Sequence, residues 1–349
     1  MRFKSFVLTA ALLLTVTGNA SAEAQNYNLL VADQHLIPAY GALAETTGKL
    51  NAAAPGCKQG DAGMQQLRDA YADAFLAWQG IQHLRFGPIQ TLSRDFRFQL
   101  WPDKRGSVSK HLRRLLAEPD PARLEADTFA GGSAAVQGFS ALERLLFDAE
   151  QPGNNRAWRC QVIAAITANL QRMSAETLSE WTEGEYAHRE MFATAAERND
   201  YYDSDEELSA KLLNNLHTQL ERLVDQKLGR PMGSELKRAL PKRAEAWRSG
   251  LSNEALQTNI QAAFDLYRIG FAPRVDDAAL NKRVAELFEN ALALIKEVRL
   301  PIAEAVSDAT ERDKLKQLKT QLASVNAIVG SELTQALGLP LGFNSLDGD

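Results

Sequence analysis

No stretch of this chain holds the roughly 20 consecutive apolar residues that a bilayer-spanning helix needs; the apolar run from Phe6 to Val16 is too short. No basic block appears, and 44 acidic side chains outnumber 39 basic ones, which argues against nucleic acid as a partner. Among the five histidines none stands in the H-E-x-x-H spacing, so the commonest zinc-peptidase design is excluded. No G-x-S-x-G elbow, P-loop or dinucleotide fingerprint sits in the strand-then-helix context it requires. Cysteine is reduced to Cys57 and Cys160, which permits one intramolecular disulfide or leaves two buried thiols.

What is present begins with a leader. Arg2 and Lys4 precede the Phe6–Val16 run, and Ala20-Ser21-Ala22 supplies a small-x-small cleavage pattern, so residues 1–22 read as a secretory signal peptide cut after Ala22. No cysteine lies near the cut to carry a lipid. The expected product is exported, most simply to a bacterial periplasm, where a Cys57–Cys160 disulfide is favoured. Losing Arg2 and Lys4 takes the formal charge from −5 to −7. The remaining length exceeds what one core usually serves, so two domains are expected.

Helical spacing dominates. Leu67, Tyr71, Phe75, Trp78, Ile81 and Leu84 advance in steps of three and four, as do Val162, Ile163, Ile166, Leu170 and Met173. Leu208, Leu212, Leu216, Leu220 and Leu223 repeat the pattern, and so do Leu315, Leu318, Leu322, Val325 and Val329. The sole strand candidate is FRFQLW, residues 96–101. These patterns predict an all-α protein of two helical bundles, compatible with an old duplication. One bundle is expected over residues 23–150, with an irregular 88–132 segment, and the other over 151–349. Pro38 should kink a first helix running from about Asn26 to Ala53, and Gly87-Pro88 should stop the second.

Candidate chemistry is sparse. Glu185 with His188 forms one E-x-x-H pair, half of what a di-iron bundle site requires, and His217 with Glu221 is an ordinary helical i, i+4 pair. More distinctive are polar words around turns: RFGP (85–88), SRDFRFQLWPDKRG (93–106) and KRAEAWRSG (242–250). Their arginines suit either helix C-termini and carboxylate partners, or the rim of a pocket for carboxylates, phosphates or an anionic metal chelate.

Seven words in register, HLIPAYGAL, AWQGIQHLRFGP, FQLWPD, QGFSALERLLFD, AWRCQ, PKRAEAWRSG and LGFNSLDGD, resemble the imelysin-like family, also classed as the M75 peptidases. The resemblance implies an exported protein of two helical bundles with a functional site where they meet. It also implies a link to bacterial iron uptake and, for some members, peptidase activity. The family motif G-x-H-x-x-E falls on Gly138, Ser140 and Glu143. On a helix the third and sixth positions face the same way, but a serine hydroxyl is a poor partner for Zn²⁺ or Fe²⁺. Glu143 alone lacks the three protein ligands of a catalytic metal; His83 is the one candidate to replace the missing imidazole. An ion pair of buried Glu143 with Arg85 or Arg97 is the arrangement otherwise expected.

The expected site is an interdomain cleft of Arg85, Arg97, Trp101, Asp103, Gly138, Ser140, Glu143, Trp247, Arg248 and Ser249. The leading expectation is a binding or accessory protein of iron acquisition, with iron or an anionic iron chelate as ligand and envelope iron-uptake proteins as partners. An M75-type metallopeptidase and a helical scaffold using the acidic tract Asp200–Glu207 are the alternatives.

Overall fold

The computed structural model describes residues 25–148 and 155–342. The expected signal peptide, the expected boundary at 150 and the last residues of the LGFNSLDGD tail lie outside them. Among the described residues the regular elements are all helical, and 96–101 forms no strand. No helix there is long and apolar enough to cross a membrane.

The chain opens with α1 (Tyr27–Val31), a π-helical turn at Ala32–Leu36, and α2 (Ile37–Ala53). Where a kink was expected at Pro38, the structure has this π turn just before it: Ile37 N–H donates to Ala32 O, one residue farther back than in an α-helix. Pro38, at the start of α2, has no N–H to donate and its ring would crowd the carbonyl one α-turn behind it. The wider turn relieves that conflict and buries His35. Next comes α3 (Gly60–Gln79), which ends at Gly80, before the Gly87-Pro88 pair expected to stop it.

Four short helices follow, α4 (Arg94–Phe98), α5 (Ser107–Ala117), α6 (Ala126–Gly131) and α7 (Gly138–Phe147), and then the long α8 (Arg156–Thr182). Helix α8 packs chiefly against α2. The disulfide Cys57–Cys160 ties its first turn to the 3₁₀ segment after α2. Helix α8, which lies beyond residue 150, thus packs against helices that precede that position.

Beyond α9 (His188–Ala193), α10 (Asp205–Glu221) starts at the N-cap Ser204, with Glu207 reaching back to the residue before it. Ser204 Oγ accepts from Glu207 N at 3.1 Å, and the Glu207 carboxylate accepts from Asp203 N at 2.7 Å. The acidic tract proposed as a scaffold surface thus begins a helix, where carboxylates favour the dipole's positive end. Helix α10 continues through a second π turn, Arg222–Gly229, into α11 (Arg230–Met232). The remaining long helices are α12 (Ser252–Gly270), α13 (Ala278–Glu297) and α15 (Ala309–Ile328), with short α14 (Ile302–Ala305) and α16 (Thr334–Leu337) beside them. Helix α13 lies along α15 and α12, while α12 also touches α1 and α3, joining the two groups of helices.

Candidate functional site

Helix α7 can start where it does because residue 138 is glycine. Its φ is +70°, and a Cβ there would lie 2.1 Å from Arg97 O and 2.3 Å from Phe98 O. The two backbones touch, and this contact sets the 99–106 loop against the first turn of α7. Ser140 completes the contact by donating its hydroxyl to Leu100 O at 3.1 Å.

One turn on, Glu143 is almost wholly buried. Its Oε1 accepts from Arg248 N at 3.1 Å, Ser249 N at 3.0 Å and Ser249 Oγ at 2.9 Å. Burial pushes this carboxyl above its ordinary value, outweighing the bonds from Ser249 and Arg248 that favour its charge. The partner of Glu143 is therefore the backbone of the 248–249 turn. The expected pairs with Arg85 or Arg97 do not form: Arg85 holds Asp95 at 3.0 Å. Arg97 donates to carbonyls of Leu92, Ala130 and Gly132 and to Gln137. These two arginines close loops, and neither lines the cavity beside Glu143.

That cavity, of about 550 Å³, is walled by the 100–108 segment, α7, Arg230 and residues 242–248. Of the expected residues it brings together Trp101, Asp103, Ser140, Glu143, Trp247 and Arg248, while Gly138 and Ser249 support its wall from behind. Sequence reasoning missed Lys104, Arg144, Arg230, Lys242 and Arg243. Lys104, Lys242 and Arg243 lay inside the polar words and Arg144 beside Glu143; no signal marked Arg230.

Six cationic side chains thus face two carboxylates, and both carboxylates are engaged. Asp103 accepts from Ser107 N at 2.8 Å and Val108 N at 2.9 Å, capping α5, and Glu143 holds the 248–249 turn. Arg248 bonds Asp148 at 2.6 Å while its guanidinium lies 4.1 Å from the centre of the Trp247 ring. Lys242 approaches the same ring at 5.6 Å. The surroundings favour a ligand with negative charge and some flat apolar surface.

A resident metal fits these residues poorly. Ser140 spends its hydroxyl on a carbonyl, the Glu143 oxygen nearest the turn carries three donors, and no histidine lines the cavity. Among the described residues no three His, Cys, Asp or Glu side chains converge in a metal-binding group. His83 is buried elsewhere, its Nε2 at 3.0 Å from His35 Nε2, and burial holds both imidazoles below their usual range, His35 to about 4. His188 meets Tyr202 OH at 2.7 Å inside an aromatic cluster with Trp181 and Phe192. His217 and Glu221 approach to 3.9 Å as a half-buried pair on one helix.

Behind the cavity lies a buried polar network. Lys227, on the second π turn, bonds Glu245, Gln79 Oε1 at 2.9 Å and Asn259 Oδ1 at 2.5 Å. Gln99 donates to Glu245 at 2.9 Å and accepts from Trp78 Nε1 at 2.8 Å. The network fixes the residues next to Trp101 and Trp247, the aromatic walls.

An all-α chain with a cationic, tryptophan-walled cavity built on a G-x-S-x-x-E helix is the class defined here. The sequence profile of the imelysin family, peptidase M75, matches residues 36–329, and the chain belongs to that family. Its fold is similar to that of an imelysin-like protein from Psychrobacter arcticum 273-4, with a TM-score of 0.71 at 19% identity, covering 92% of this chain and 99% of the other. It is also similar to a putative iron-regulated protein A precursor from Parabacteroides distasonis ATCC 8503, with a TM-score of 0.69 at 12% identity, covering 90% and 97% respectively. No functionally curated protein matches the sequence.

Proposed function

We propose that this protein is an exported binding or accessory protein of bacterial iron acquisition, and that its cavity receives an anionic iron chelate. The observation that carries the reading is the charge inventory of the cavity: six cations line it, Arg144 and Arg248 sharing Asp148 beside it, and both lining carboxylates are committed to backbone N–H groups. Such a site attracts a chelate through its anionic groups and has no imidazole to compete for the metal. Family membership and the iron-regulated relative support the link to iron, and the leader read over residues 1–22 supports export to the periplasm, where envelope iron-uptake proteins would be its partners. The ligand then lies between two bundles, with the division after α8. A metallopeptidase reading has the donor set against it, because Ser140 and Glu143 serve the fold.

Trp101 and Trp247 provide the readout. Titration with ferric citrate should quench tryptophan fluorescence saturably, whereas Fe²⁺ alone should not bind stoichiometrically. Reversing the exposed charges in Lys242→Glu with Arg243→Glu should weaken ferric citrate at least about tenfold without altering the far-UV spectrum. Stoichiometric Fe²⁺ binding, or ferric citrate binding indifferent to the double substitution, would sink the proposal.

A further inference from the structure

A second polar seam lies where α10 meets the turn after α3. Asn215, Gln219 and Arg222 follow at i, i+4 and i+7, on one face of α10 and its π continuation. Asn215 Oδ1 accepts from Arg85 N at 2.7 Å, which brings the Arg85 backbone onto this face. The neighbouring charges are mostly answered. Lys227 has Glu245, and Arg85 has Asp95 at 3.0 Å. Arg94 has Glu176 and Glu180, both half exposed.

Arg222 is the exception. Among the described residues it has no carboxylate within ion-pair distance, and its buried Nε has no partner. Its guanidinium is pulled down to about 9, first by burial and then by the nearby Arg85, against the weaker opposing pull of Asp95 and Glu245. Beside it Gln219 is only 2% exposed, and neither its Oε1 nor its Nε2 meets a protein partner. The buried Arg85 Nε is likewise unmatched. Arg85, Arg222 and Lys227 thus share two carboxylates, Asp95 and Glu245, and an excess cation beside three buried, unmatched N–H donors is costly unless something negative meets them.

We propose that this seam binds a small monovalent anion, of the size of chloride or formate, between Arg222, Arg85 and Gln219. The anion neutralises Arg222, accepts from Gln219 Nε2 and the two Nε–H groups, and joins α10 to the Arg85 turn. It lies apart from the chelate cavity, which none of these three residues lines.

Thermal unfolding of the mature chain tests this. Chloride or formate is raised from about 1 to 100 mM at constant ionic strength, with gluconate, too bulky for the seam, as the balancing anion. A ligand held only by the folded state adds a constant increment of stability per tenfold rise above its Kd. The expected result is a steady rise in Tm with one or both small anions, their relative potency separating halide from carboxylate. Gln219→Glu places a carboxylate three residues from Arg222, and Arg222→Met removes the charge. Both should abolish the anion dependence, and Arg222→Met should melt above the natural chain in gluconate. Identical melting of the natural chain in all three salts overturns the proposal whether or not the variants fold. So does an anion dependence that persists in either variant.

Discussion

Glu143 shows how one carboxylate can look like a ligand in the sequence and act as a brace in the fold. Three donors converge on its Oε1, and all three belong to the 248–249 turn. Glutamine keeps an oxygen for those donors, whereas alanine leaves them unmet. Glu143→Gln should therefore stay within about 1 kcal/mol of the natural protein, while Glu143→Ala should lose about 2–4 kcal/mol in urea unfolding. The pH series has a defined sign. Burial raises the folded pKa above 4.5, so the stability Glu143 contributes is fully present below 4.5 and lost as pH rises through the raised value. Glu143→Gln should lack that loss. His35 acts oppositely: its folded value near 4 makes its contribution complete above 6.5 and lost as pH falls toward 4. Comparing the variant with the natural chain across one pH series isolates the Glu143 component.

At the scale of the element, helix ends and π turns do work that the apolar periodicity conceals. Helix α5 follows Gly106, which has no side chain to cap it, and Asp103, three residues before that glycine, reaches the first two N–H groups of the helix. Asp103→Ala should destabilise by about 1–2 kcal/mol and speed amide exchange at Ser107 and Val108. A change confined to ligand affinity would contradict the capping role. The π turns at Ala32–Leu36 and Arg222–Gly229 direct His35 and Lys227 inward. A π turn widens the helix by one residue per turn, so it rotates the following positions away from the face a 3.6-residue period assigns. The period from Leu208 to Leu223 gave no sign that Lys227 would be buried in a network with Glu245.

For the whole molecule, the Cys57–Cys160 bond spans 103 residues, encloses α3 through α7 in one loop, and ties the segment after α2 to the start of α8. In the chain-entropy account a loop of this length is worth about 4–5 kcal/mol. Reduction, or Cys160→Ser, should lower Tm by several degrees, and an unchanged Tm would contradict a stabilisation that works by lowering the entropy of the unfolded chain. Much of this architecture was legible in advance. The helices around Phe75, Ile166, Leu212 and Leu322 follow from apolar side chains spaced to share a face, and the family words marked α7 before any contact was known. Both are local properties, because a helix's buried stripe and a motif's spacing are written in adjacent residues. Partner choice is different. That Glu143 takes a turn more than 100 residues away, that Arg85 and Arg97 leave the cavity, and that Arg230 and Arg243 enter it are outcomes of long-range packing. The sequence alone determined the helical class, the family and the single disulfide permitted by two cysteines. Only the tertiary structure decided which charges meet, because hydrogen-bond and ion-pair energies depend on distances of a few ångströms between segments whose separation along the chain carries no such information.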